Sequence, residues 1–150
     1  MTKTFIEIGT SDFDTLIPLA KQGWKGIFVE PVKPLLDNLE RIEGCHYINK
    51  AVWTHDGSVE ILYPKDIEKY TDDDTWVRGI GRVKTNQYGL FYWDDDILKA
   101  EERGLTKEVE SIRLDTLVES FQLSNIDFLK IDIEGSEYKI VKTPLTGERN

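Results

Sequence analysis

Thr4-Phe5-Ile6-Glu7-Ile8-Gly9-Thr10-Ser11 is a short apolar run broken by a glycine, and helical spacing follows from about Asp14 to Gln22. The reading is strand, turn, helix. Gly23 closes that helix, and Gly26-Ile27-Phe28-Val29 forms a second buried run that stops at Glu30. Pro31-Val32-Lys33-Pro34 then starts a helix whose Leu35, Leu36, Leu39 and Ile42 lie three or four residues apart. A third run spans Cys45 to Val52. Short apolar runs without polar alternation suit strands covered on both faces, as parallel sheets with crossover helices require. The N-terminal third is therefore predicted as β-α-β-α-β.

Further along, His55-Asp56-Gly57-Ser58 signals a turn and Val59 to Tyr63 alternates, so the third strand is expected to continue into a hairpin. From Pro64 to Lys107 the pattern stops. Acidic runs at Asp72–Asp74 and Asp94–Asp96 and the aromatics Tyr70, Trp76, Tyr88, Phe91, Tyr92 and Trp93 mark a lid-like insert, too long for an ordinary connection. A satellite core beneath a surface loop accounts for those aromatics equally well. The alternation resumes with a strand at Val109 to Leu114, a helical face of Leu114, Leu117, Val118 and Phe121, and a strand over Phe128 to Ile133. Glu134-Gly135-Ser136-Glu137 turns into a new helix, which Pro144 and Gly147 would soon end. The expected sheet has strand order 3-2-1-4, helices on both faces, and no C-terminal half. Its fourth strand is then an exposed edge through which copies of the chain could pair.

With 150 residues the chain is read as one domain, 1–150, with the insert at about 64–107. Its 19 Lys+Arg against 28 Asp+Glu give a net charge of −9, which argues against binding nucleic acid through its phosphates. Cys45 is the single cysteine, so an intramolecular disulfide and a thiolate zinc site are excluded. No segment approaches the length of a membrane span, and a cytoplasmic protein with no membrane partner is expected.

In an open parallel sheet, ligands bind beyond the carboxyl ends of the strands, where strand order reverses. Gly9 would let the backbone approach a ligand there. Glu30 lies 23 residues after Glu7, about where such a fold presents a carboxylate to ribose hydroxyls. The glycine pattern Gly-x-Gly-x-x-Gly of dinucleotide sites is missing, and Asp12 and Asp14 would repel a pyrophosphate. A nucleoside with a cationic or zwitterionic tail fits better, and S-adenosylmethionine is such a ligand. At Asp132-Ile133-Glu134-Gly135-Ser136-Glu137 the carboxylates could act as a general base for a hydroxyl, hold the cofactor's amine, or merely stabilise a first helical turn through its dipole. Asp132, read as partly buried beside Phe128 and Ile131, is expected to have a raised pKa. His46 and His55 read as surface residues rather than bases. No metal site is expected.

Phe5-Ile6-Glu7-Ile8-Gly9-Thr10-Ser11, Val29-Glu30-Pro31, Ala51-Val52 before Asp56-Gly57, Trp76-Val77-Arg78-Gly79, and above all Ile126 to Glu137 resemble the FkbM family of S-adenosylmethionine-dependent methyltransferases. The resemblance runs from roughly Thr4 to Lys142. It implies a Rossmann-like class I methyltransferase core and methyl transfer to oxygen, on a sugar or polyketide-like hydroxyl of a small-molecule acceptor. By position it implies Glu7, Gly9 and Ser11 along the methionine part, Glu30 at the ribose, Ala51 and Val52 at the adenine, and Asp132, Glu134 and Glu137 at the reacting end. A different class remains open: a non-catalytic nucleoside-binding or interaction module built on a shortened methyltransferase core.

Overall fold

A computed structural model describes residues 1–84 and 104–142. Four parallel strands form the first sheet: β1 (Thr4–Ile8), β2 (Lys25–Val29), β3 (His46–Ile48) and, later in the chain, β8 (Phe128–Ile131). Their order is β3-β2-β1-β8, the predicted 3-2-1-4. β1 pairs with β2 from Thr4 opposite Lys25 to Ile8 opposite Val29, and with β8 from Phe5 opposite Phe128 to Ile8 opposite Ile131.

Side-chain alternation divides this sheet into two faces. Phe5 and Phe28 point toward the helices α1 (Ile17–Lys21) and α2 (Lys33–Asn38), where they pack with Ala20, Leu36 and Leu39. Gly26 belongs to the same face, and a Cβ there would lie 2.0 Å from the Phe5 ring. The ring occupies the space that any side chain at 26 would need. Ile6, Ile8, Ile27 and Val29 point the other way, into the larger core. That core also holds Leu114 and Leu117 of α3 (Leu114–Ser120) and Ile140 of α4 (Glu137–Lys142). The sheet is thus covered on both faces, as its apolar runs required.

The third predicted strand is broken. After β3 the Asn49 side chain donates to the carbonyl oxygens of Glu30 and Pro31 at 2.9 and 3.0 Å, and the chain leaves the first sheet. Ala51–Val52 (β4) instead starts a second sheet of order β4-β7-β5-β6, with β5 at Gly57–Pro64, β6 at Arg82–Val83 and β7 at Gly104–Ile112. β4 runs parallel to β7, which lies antiparallel to β5 over the whole span from Gly57 opposite Ser111 to Pro64 opposite Gly104. The expected hairpin between the third strand and Val59–Tyr63 is therefore replaced by pairing of β5 with β7 and β6. The returning strand also begins at Gly104, earlier than the sequence pattern indicated.

Two 3-10 segments, Ile67–Lys69 and Asp72–Gly79, lie within the predicted insert. Trp76 of the second is half exposed, and Ile67 of the first is buried. The insert's remaining features, Tyr88, Phe91, Tyr92, Trp93 and Asp94–Asp96, fall outside the described residues, as do Pro144 and Gly147. Among the described residues β8 is the edge of the first sheet, and its Phe128 and Leu129 are exposed. No described helix is long and apolar enough to cross a membrane.

Candidate active site

Beyond the carboxyl ends of β1, β2 and β4 lies a cleft open to solvent. Its floor is formed by Ile8, Gly9, Ser11, Val29, Glu30, Ala51 and Val52, with Asp132 and Ile133 at one side. The opposite wall comes from β5, β6 and the second 3-10 segment, through Ile61, Arg78, Gly79, Gly81, Arg82 and Val83.

Gly9 is required where it stands. Its φ is +74°, and a Cβ would come within 1.9 Å of the Asp132 carbonyl oxygen. Two strand ends therefore meet closely enough to make a continuous floor, held by the Asp132 N–H donating to the Ile8 carbonyl at 2.9 Å.

Glu30 is 5% exposed and accepts two backbone hydrogen bonds, from the Ser11 N–H on Oε2 and the Val32 N–H on Oε1, both at 2.9 Å. It thereby fastens the loop after β1 to the loop after β2. Burial pushes its carboxyl up to about 7, against the opposing pull of the Val32 and Ser11 N–H groups, and nearby Asp12 raises it further. The Ser11 hydroxyl is buried with no hydrogen-bond partner among the described residues.

Glu7 departs from the expectation. Alternation sets it on the same face as Phe5, where its Oε2 accepts the Leu16 N–H at 2.8 Å and its Oε1 lies 3.0 Å from Lys130 Nζ. The ammonium also donates to the Asp14 carbonyl. Glu7 is fully buried, and burial pushes its carboxyl up while the Leu16 N–H and Lys130 hold it down. It braces the first strand–helix connection and does not border the cleft.

The turn after β8 separates its three acids. Asp132 borders the cleft and is exposed rather than partly buried, because β8 is an edge strand. Glu137 is consumed by the turn itself, its Oε1 accepting the N–H groups of Ile133 at 3.0 Å and Gly135 at 3.3 Å. Glu134 sits at φ +53° off the cleft lining. Desolvation pushes its carboxyl up, helped by the charges of Asp132 and Glu137 and opposed by Arg82. His46 meets the Phe121 ring in a tilted arrangement with centroids 4.7 Å apart, His55 contacts the Ser58 carbonyl at 3.0 Å, and neither borders the cleft.

Sequence reasoning put Gly9, Ser11, Glu30, Ala51, Val52 and Asp132 at one place, and all six line the cleft. It missed the cationic wall. Lys50 lines the cleft and pairs with Glu110 at 3.0 Å; Arg78 pairs with Asp12 at 3.1 Å; Arg82 has no ion pair among the described residues. The available signal was Trp76-Val77-Arg78-Gly79, a stretch that carries the family resemblance but has no periodicity from which a facing can be read.

A parallel sheet of order 3-2-1-4, covered on both faces and carrying a cleft over its central strand ends, is a Rossmann-like methyltransferase core. The chain belongs to the FkbM methyltransferase family, whose description is "Methyltransferase FkbM domain" and whose profile matches residues 7–149. Searches of curated proteins and of solved structures return no significant match.

Proposed function

We propose that this methyltransferase uses S-adenosylmethionine and methylates a hydroxyl oxygen of a sugar or other small metabolite. The observation that carries the reading is the buried Glu30 carboxylate on the cleft floor beside the orphaned Ser11 hydroxyl. A buried carboxylate suits a ribose diol, which donates two hydrogen bonds, and repels a phosphate at the same place. The residues present fit the cofactor. Glu30 would take the ribose, the apolar Ala51 and Val52 the adenine, and Gly9 and Ser11 the methionine part, which passes over backbone that has no Cβ to obstruct it.

When bound, the cofactor supplies an electrophilic methyl group on its sulfonium. The chain's part is mainly positioning, since a hydroxyl oxygen held in line about 3 Å from the methyl carbon reacts without further covalent help. Asp132, the one acid of its turn on the cleft lining and open to solvent, is the residue assigned to accept the hydroxyl proton. Glu137 keeps that turn in shape through its two backbone hydrogen bonds.

Calorimetric titration with S-adenosylhomocysteine tests the cofactor, and methyl transfer from labelled S-adenosylmethionine to a panel of sugars and hydroxylated metabolites tests the reaction. Micromolar binding that Glu30→Ala weakens by about 10- to 100-fold is expected, the worth of hydrogen bonds to a charged group. Absence of binding by the wild type overturns the cofactor assignment.

A further inference from the structure

Three cations line the cleft, and two of them are already answered by the chain's own acids. Lys50 meets Glu110 at 3.0 Å and Arg78 meets Asp12 at 3.1 Å. The third is Arg82, whose side chain makes no ion pair or hydrogen bond among the described residues. The other described arginines all pair with a carboxylate, Arg41 with Asp37 at 3.6 Å and Arg113 with Asp115 at 2.6 Å besides Arg78. In a chain with 28 Asp+Glu against 19 Lys+Arg, an arginine left without an acid beside a cleft stands apart.

Its place is set by the second sheet. Arg82 lies opposite Leu62 of β5, Val83 opposite Ile61, and the Lys84 N–H donates to the Glu60 carbonyl at 2.8 Å. The residue before it is packed as closely, since a Cβ on Gly81 would lie 3.3 Å from Tyr63 Cβ. Arg82 is thus held, partly buried, on the wall and not on the floor that carries Glu30. Asp132 and Ile133 of the turn after β8 line the same cleft, and the Arg82 charge reaches that turn, where it helps to hold the Glu134 carboxyl down. No acid of the turn closes on it as an ion pair.

Resting on the reading of this cleft as an O-methyltransferase site, we propose that Arg82 selects the acceptor, a hydroxylated compound bearing an oxyanion, carboxylate or phosphate, that pairs with its guanidinium. The planar guanidinium presents paired N–H donors that match two oxygens of either group. Partial burial makes such a pair worth more than one at the surface. The chain's net charge of −9 works against an anion, so an anionic acceptor has to be held by a specific contact and is not drawn in by the general field. Arg82 is the cleft-lining cation left to make that contact. If it only balanced the acids of the turn after β8, the charge of the acceptor would make no difference.

Methyl transfer from labelled S-adenosylmethionine to two matched sets tests this: glucose, glucuronate and glucose 6-phosphate, and glycerol, glycerate and glycerol 3-phosphate. The wild type should favour an anionic member over its neutral parent by about 10- to 100-fold in kcat/KM, the worth of hydrogen bonds between charged groups. Which member it favours separates a carboxylate from a phosphate. Arg82→Gln should bring that ratio close to one, chiefly through KM, whereas Arg82→Lys, which keeps the charge without the fork, should retain part of it. The wild-type ratio is itself a test that needs no variant to fold. Neutral and anionic compounds used equally well, or a preference that Arg82→Gln leaves unchanged, overturns the inference while leaving O-methylation in place. No transfer to any of these compounds by a protein that binds S-adenosylhomocysteine overturns the acceptor class, and no binding of S-adenosylhomocysteine overturns the cofactor reading on which it rests.

Discussion

If Glu30 holds the ribose diol as proposed, its raised carboxyl makes cofactor binding pH-dependent in a definite direction. In the free protein this group titrates at about 7, compared with an ordinary 4.5, because burial penalises its charge more than two backbone N–H groups repay. A ribose diol donating to it favours the ionised form, so binding draws the pKa down and releases a proton wherever Glu30 was protonated beforehand. With a free-state pKa of about 7, the fraction able to accept both hydroxyls is about one-tenth at pH 6, one-half at pH 7 and nine-tenths at pH 8. Affinity for S-adenosylhomocysteine should then rise about tenfold from pH 6 to pH 8. Titrations at the two pH values, each in two buffers of different ionisation enthalpy, read the slope and the released proton together. Glu30→Gln should bind more weakly and lose the slope. The same shift makes the unliganded protein less stable as pH rises from 4.5 to 7, since the native state holds a proton that the unfolded chain has released. A shift from 4.5 to about 7 places that loss at about 3 kcal/mol. Affinity that is flat between pH 6 and 8, with no proton released, would refute the reasoning.

Other outcomes follow from the same geometry. Lys130→Met leaves the fully buried Glu7 carboxylate without its ion pair, and urea unfolding at pH 7 should show a loss of about 3–5 kcal/mol, partly recovered at lower pH as Glu7 takes up its proton. Equal losses at both pH values would mean that Lys130 acts through packing alone. Gly9→Ala combines a positive φ with a Cβ only 1.9 Å from the Asp132 carbonyl oxygen, so it should cost at least about 2 kcal/mol in the same measurement. Asp132→Asn should slow methyl transfer by about 10²–10⁴-fold and leave S-adenosylhomocysteine binding within a few-fold, while unchanged turnover would remove Asp132 from the chemistry.

The first sheet was legible because β2 carries an uninterrupted apolar run and β1 one broken only by Glu7, a pattern that suits covered parallel strands. In the second sheet the strands at Val59 to Tyr63 and from Val109 could be read, but their pairing and the full length of β7 could not. The first part of β7, from Leu105 to Glu108, is exposed and polar or isolated in its apolarity, and it is a strand because β5 supplies a partner along its length. Nothing local announces that. The break after β3 was equally invisible, since Asn49 ends the strand through side-chain hydrogen bonds to residues nearly twenty positions earlier. At the site, strand-end positions could be read, but the direction in which Glu7 points was overlooked. Its place two residues after Phe5 already assigned it to the helix-covered face, where Lys130, directly opposite in β8, meets it. Arg78 and Arg82 escaped for another reason. Residues in 3-10 turns and a two-residue strand carry no period from which a facing can be inferred.

The two sheets divide the work of the cleft. Its floor is made of strand ends tied by backbone hydrogen bonds, from the Gly9 N–H to the Val29 carbonyl at 2.9 Å and from the Glu30 N–H to the Ile48 carbonyl at 3.0 Å. Such a floor keeps its shape without needing the wall. The wall is anchored differently, by β6 pairing with β5 at two positions and by the buried ion pair of Arg78 with Asp12. Asp12 belongs to the loop after β1, one residue beyond Ser11, so the wall is fastened to the floor beside Ser11. A transfer whose rate depends on alignment needs the acceptor's surroundings registered against the cofactor's to within fractions of an ångström. A buried ion pair, costly to break once formed, supplies that registration where sheet hydrogen bonding does not reach.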